Sequence, residues 1–267
     1  MYEEPYRWVE AVANRRQYLD DQFREGSPVV GLAYDGGVLL LTVSKGTPKL
    51  YEIYDRLALG GMGHPADLEK LRFSLLETAH VEGFNRSPSD VTGLRMVKYG
   101  MAPLLKQAFE EVFKAPFIAK LLLAELGTKT GVSSFLTVEY DGTFEEETHC
   151  AALAATSAAR RSMLDFLKRT ASERAPLDRA VASALQAWAV GDLAQRRAQA
   201  DESETTQRTV TDDRAELLAH LRERVLGKTI ECALLDHNER GPSKYRTLTQ
   251  DDMARLAPPD FKTALFT

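Results

Sequence analysis

Apolar positions change period several times along the chain, and each change marks an element. After Pro5, YRWVEAVANRRQYLDDQF sets Trp8, Val12, Leu19 and Phe23 along one face of a helix. Gly26 follows, a residue suited to the left-handed position that ends a helix. The spacing then drops to that of strands. PVVGLAYDGGVLLLTV holds two β-rich runs around Asp35-Gly36-Gly37, residues that accept the positive φ of a tight hairpin. KLYEIYDRLALGGMG (49–63) repeats the arrangement around Tyr54-Asp55-Arg56.

Helical spacing then returns. Leu68, Leu71, Leu75 and Ala79 form one stripe. Leu94, Val97, Met101, Leu104, Ala108 and Val112 form a second, with Asp90 and Thr92 as candidate caps. GFNRSPS (83–89) between them reads as a loop. Strands resume at 116–126 and 134–144, with Asp141-Gly142 as a hairpin turn, and HCAALAAT supplies a third run. SAARRSMLDFLKRTA and LDRAVASALQAWAVGDL are helices, the latter with Leu177, Val181, Leu185 and Trp188 on one side. The polar, charged stretch 195–215 reads as a solvated helix extension or mobile segment, within a charged insertion spanning about 195–225. TIECALLD, KYRTLT and a short helix, TQDDMARLA, close the chain.

Strands arriving in runs, separated by paired helices, imply antiparallel sheets with helices outside. The economical packing is two stacked sheets between two helix layers: an α+β, four-layer αββα sandwich, taken as one domain over residues 1–267 with an extra N-terminal helix in 1–25.

Composition narrows the function. Of 267 residues, 44% are hydrophobic and 27% charged, enough for a full core, and the net charge of −5 argues against a dedicated nucleic-acid binder. Cys150 and Cys232 sit in apolar runs and read as small core residues; with no CxxC pair or Cys/His ligand spacing, no metal site is expected. MYEEPYRWVE lacks the regions of a signal peptide, and no apolar run approaches the ~20 residues of a membrane span. These features predict a cytoplasmic protein without cofactor.

Ser27 raises the main chemical question. A hydroxyl residue at the start of a mature chain can be activated by its own α-amino group, and cleavage at Gly26–Ser27 would create that arrangement. Against this, Pro28 would follow the new terminus, the preceding helix is too amphipathic for a discarded propeptide, and Gly-Ser at a helix-to-strand junction is ordinary turn chemistry. Lys49 opens the third strand, where a lysine is either a solvated edge residue or a cation placed to hold a carboxylate. His149 has no evident partner. EEVFK, FEEE and DESE lack metal-ligand order, and DGG and GGMG lack the context of a dinucleotide fingerprint.

Three stretches, SPVVGLAYDGGVLLL, EIYDRLALGGMGHPADLEKLR (52–72) and SDVTGLRMV (89–97), resemble the α-type subunits of bacterial 20S proteasomes of actinobacterial type, within the N-terminal-nucleophile hydrolase superfamily. The likeness spans nearly the whole chain and weakens after about 150. The helix before Gly26 matches the helix that α subunits retain. Val43 stands where catalytic subunits carry an acidic residue, and Ala154-Ala155-Thr156-Ser157 replaces their supporting serine-and-glycine run.

The resemblance therefore implies a non-catalytic subunit, with Ser27 a junction residue. Lys49, with Gly63, would receive an activator's C-terminal carboxylate, while Trp8, Val12, Leu19 and Phe23 would serve ring assembly. The implied partners are copies of itself in a heptameric ring, β-type subunits, and an ATPase or other activator. The long 195–225 segment and the lack of a YDR-type gating motif at the N-terminus depart from familiar α subunits. A single-type hydrolase using Ser27, and a non-proteolytic scaffold, are the alternatives.

Overall fold

A computed structural model describes residues 5–111, 113–127, 132–201 and 213–265. Helix α1 (Pro5–Phe23) leads into two hairpins: β1 (Val29–Tyr34) with β2 (Gly37–Ser44), then β3 (Leu50–Tyr54) with β4 (Leu57–Gly63). Helix α2 (Pro65–Asn85) follows, then α3 (Gly93–Met96), a π turn at Val97–Met101, and α4 (Ala102–Glu110). Strands β5 (Ala119–Glu125), β6 (Ser134–Val138), β7 (Phe144–Glu147) and β8 (Cys150–Leu153) precede α5 (Ser157–Thr170), α6 (Leu177–Asp201) and α7 (Arg214–Val225). The described chain closes with β9 (Thr229–Asp236), β10 (Tyr245–Thr247), α8 (Gln250–Leu256) and α9 (Pro259–Leu265).

The strands form two five-stranded antiparallel sheets, in the orders β10-β9-β2-β1-β8 and β3-β4-β5-β6-β7. Alternation along each strand divides the core into three layers. On β2, Leu39, Leu41 and Val43 face helices α5, α6 and α7, while Val38 and Leu40 face the other sheet. On β5, Leu122 and Ala124 point between the sheets, and Leu121 and Leu123 pack under α2–α4. This is the expected αββα sandwich. Both strands are buried along their whole length except Glu125, because each sheet is covered on two sides.

Four local expectations change. The π turn adds a residue to one turn and rotates the second helical stripe. Its inward face is Met96, Val97, Met101, Leu105 and Phe109, while Leu94 is 41% exposed and Leu104 and Ala108 are half-buried; Val112 lies outside the described residues. The loop expected from Gly83 begins only at Arg86, since α2 runs through Asn85. Gly83 lies within α2, where the absence of a side chain leaves room for the Tyr54 hydroxyl, which a Cβ would approach to 2.3 Å.

The charged 195–225 segment belongs partly to the core. Gln195 is buried on α6, and α7 buries Leu217, Leu221 and Val225; the rest of that segment, residues 202–212, lies outside the described residues. A ninth described helix, α9, buries Phe261 in its first turn, an element too short for sequence periodicity to mark.

Candidate functional site

The junction between α1 and β1 is built around α6. Ser27 is half-buried, and its hydroxyl accepts the indole N–H of Trp188 at 3.1 Å. Gln195 donates to the Gly26 carbonyl at 3.0 Å and accepts the Ala155 N–H at 2.8 Å, tying α1's end to β8. Val43 is buried against Ile230 and the helix layer, so an apolar side chain fills the place the resemblance gives to an acid. Ala154 and Ala155 are buried as well, and Thr156 caps α5 through the Ala159 N–H.

Helix α1 divides into an anchored and a presented half. Leu19 and Phe23 are fully buried within the chain's own core, beside Val29, Met62 and Phe135. Arg15 fastens the middle of the helix to the end of α4, donating to the carbonyls of Phe109, Glu111 and Lys114. Such a guanidinium satisfies helix-end carbonyls that have no partner in the helix. Towards the N-terminus, Trp8 is 41% and Val9 67% exposed, with Val12 half-buried. The four residues expected to act together in assembly are therefore split: Leu19 and Phe23 hold α1 on its own subunit, because their side chains fill the space between the sheets.

Beneath α1 lies an open cleft of about 1100 Å³. At its floor Lys120, only 5% exposed, bonds the Ala154 and Ala155 carbonyls at 3.3 Å each and pairs with Glu139 at 3.0 Å. Its ammonium also stands 5.1 Å from the Phe23 ring centroid. This buried cation has three acceptors for three donors, so its charge is spent inside the fold.

Lys49 is differently placed. It is half-buried just before β3, and its ammonium makes no hydrogen bond or ion pair among the described residues. Burial lowers its pKa, opposed by the attraction of Glu231 and assisted by repulsion from Lys228 and Lys45. Glu231 on β9 holds this corner: one carboxylate oxygen, Oε2, accepts the main-chain N–H groups of Lys49 at 2.8 Å and Leu50 at 3.2 Å. Gly63 ends the partner strand, where Gly61 bonds the Lys49 carbonyl at 3.0 Å. Its φ is +139°, and a Cβ would lie 2.0 Å from the Ile118 carbonyl oxygen, so the fold itself demands glycine here.

A charged hub that sequence reading missed lies beside α7. The Asp192 side chain takes Arg196, His220 and Arg224 at 3.1, 2.8 and 2.8 Å. Burial alone would raise its pKa, but those three partners outweigh it and hold the carboxyl at about 2. Neither Glu231 nor Asp192 belongs to a recognisable motif; the only sequence signal was an acid inside an otherwise apolar run.

His149 pairs with Glu173 at the surface, and both cysteines are buried and free. Among the described residues, no cluster of potential metal ligands occurs and no helix is long and apolar enough to cross a membrane.

Two stacked five-stranded antiparallel sheets between helix layers, with α1 over the cleft and Val43 buried in the first sheet, define the four-layer αββα sandwich. A model of the proteasome subunit family matches residues 23–198, and the chain belongs to that family. Among similar curated proteins is a proteasome subunit alpha of Acidimicrobium ferrooxidans, 30% identical over 52% of this chain and 60% of that protein. Others are those of Actinosynnema mirum, 29% identical over 67% of this chain and 66% of that protein, and of a Nocardioides species, 26% identical over 87% and 88%. The first two matches thus span about two thirds or less of their relatives' length. The chain is of the α type, the non-catalytic class of proteasome subunit.

Proposed function

We propose that copies of this chain assemble into a heptameric cytoplasmic ring that covers a β-type peptidase ring, restricts access to it, and receives C-terminal tails of an activator, ATPase or other, at Lys49 and Gly63. The observation that carries the docking part is the unpaired, half-buried Lys49 ammonium, with Lys45 and Lys228 adding positive potential around it. A chain terminus offers the matching group, a carboxylate able to take a charge-assisted hydrogen bond. Gly63 leaves the backbone bare at the end of the neighbouring strand. The assembly part rests on α1: it is fastened by Arg15, Leu19 and Phe23 and turns Trp8 and Val9 outward, with Val12 half-buried against the core.

The reading in which Ser27 becomes a nucleophile by loss of residues 1–26 is disfavoured by the same packing. It would strip Leu19 and Phe23 from the core. Co-expression with β-type subunits, followed by particle imaging and a peptidase assay, tests the proposal. Stacked rings whose small-peptide cleavage requires the β subunit support it. Failure to co-purify with any β-type partner favours the scaffold reading, and cleavage by this chain alone that disappears in Ser27→Ala would favour the hydrolase.

A further inference from the structure

The ladder between β2 and β9 ends on a pair of like charges. Its last registered partners are Ser44 and Thr229, so one step further Lys45 stands opposite Lys228. Like charges facing each other across strands are destabilising. The turn that presents Lys228 is fixed: its N–H donates to the Val225 carbonyl at 2.9 Å, and Gly227 before it takes a φ of +71°. Lys49 is brought to the same corner by Glu231, which accepts its main-chain N–H. Glu231 lies three residues along β9 from Lys228, about 10 Å in strand rise.

None of the three ammonium groups has a hydrogen bond or ion pair among the described residues. Asp192, the acid that draws on Lys228, is already taken by Arg196, His220 and Arg224. Glu231, which draws on Lys49, spends its Oε2 on the main chain. Residues 45–48 are exposed, and Lys49 and Lys228 are half-buried, so the three cations border open surface rather than an enclosed space. They repel one another in the free chain, and an anionic ligand laid across them turns that repulsion into attraction.

A single terminal carboxylate at Lys49 leaves Lys45 and Lys228 unanswered. A tail held there runs outward in extended form at about 3.3 Å per residue. A side chain two or three residues before the last therefore stands about 7–10 Å from the terminus, the spacing that separates Lys49 from the pair.

We propose that Lys45 and Lys228 are a second contact of the docking site, pairing with an aspartate or glutamate two or three residues before the C-terminal residue of an activator tail. The ligand class is a peptide with a free C-terminus and an acid at that distance from it. This inference rests on the Lys49 reading and narrows it.

The test uses the full chain and a library of acetylated hexapeptides with free C-termini, randomised at every position and selected by binding at low salt. The wild type should enrich Asp and Glu two and three residues before the last. The double variant Lys45→Gln, Lys228→Gln should lose that enrichment and still select free C-termini. In the best-binding peptide, replacing the acid by its amide should weaken wild-type binding about 3-fold, as for an ion pair at a surface. It should add little in the double variant, and the loss should shrink as salt is raised. The double variant should keep or raise the wild-type urea midpoint, because neither ammonium has a partner to lose. A C-terminal carboxamide of the same peptide tests Lys49.

No enrichment of acids, or enrichment unchanged in the double variant, would overturn the role of Lys45 and Lys228. If carboxamide and Lys49→Ala still fail to add in that case, the Lys49 site stands alone. Smaller species of the double variant in native mass measurements, with peptide selection unchanged, would assign the pair to a contact between copies instead. Acid-dependent binding that survives both the carboxamide and Lys49→Ala would overturn the Lys49 reading and the joint site with it. A library with no binder overturns both.

Discussion

The indole N–H of Trp188 on α6 donates to the hydroxyl of Ser27, 161 residues earlier in the chain. The residue that invites a catalytic reading is thus the acceptor for a tryptophan that is 1% exposed. Removing it has a structural consequence. Ser27→Ala leaves a buried donor unsatisfied and should lower unfolding free energy by about 1–2 kcal/mol. Urea titration checks the loss, and a fluorogenic peptide assay should show no peptidase activity in either form.

Helix α1 should give two classes of variant. Phe23→Ala empties space between the sheets and should cost about 3–5 kcal/mol, read by urea denaturation. Trp8→Ala and Val9→Ala touch the presented half and should alter subunit stability by less than about 1 kcal/mol while reducing the assembled fraction in native mass measurements. Equal loss of stability in both classes would remove the distinction between anchor and interface.

At the docking corner, Lys49→Ala should leave assembly intact and weaken a free C-terminal peptide by about 2 kcal/mol or more, less if water reaches the ammonium. Because burial lowers the Lys49 pKa, peptide binding should fade at a pH below the ordinary lysine range as the ammonium loses its proton. Calorimetric titration across alkaline pH reads this. A binding curve that follows an ordinary lysine, or no change in Lys49→Ala, would count against the assignment.

Asp192 predicts an acid-side dependence of stability. Although burial opposes ionisation, His220, Arg224 and Arg196 hold its pKa at about 2, below the ordinary 3.8. A carboxyl with a lower pKa in the folded state stabilises above its unfolded value, and that contribution is lost as pH falls from about 4 through 2. It amounts to roughly 2 kcal/mol at neutral pH. Asp192→Asn should therefore lower stability by about 2–3 kcal/mol at pH 7. Its stability should also fall less than that of the wild type between pH 5 and 2, as measured by urea midpoints.

Elements were legible wherever the apolar period held locally. The stripe Leu68, Leu71, Leu75, Ala79 is fully buried as read, and both hairpin turns sit where Asp35-Gly36 and Asp55-Arg56 put them. The reading slipped where one residue of extra turn at Val97–Met101 carried the inward face on to Leu105 and Phe109. A residue count along a regular helix contains no sign of that insertion. Likewise the charged flanks of 195–225 hid the α7 stripe, since Leu217, Leu221 and Val225 are spaced among acids and arginines that cover its other side.

The sequence by itself determined the order of the elements apart from β7, α7 and α9, the sandwich they imply, and Lys49 as a cation at a strand start. Neighbouring residues carry that information, because period and turn chemistry act over a few positions. Tertiary structure decided the rest. It buried Leu19 and Phe23 in their own subunit, gave Trp188 to Ser27, and placed Glu231 against the backbone of Lys49, 182 residues away. Which partners meet across such separations depends on strand pairing and sheet stacking, and burial sets a charge's value only once its neighbours are in place.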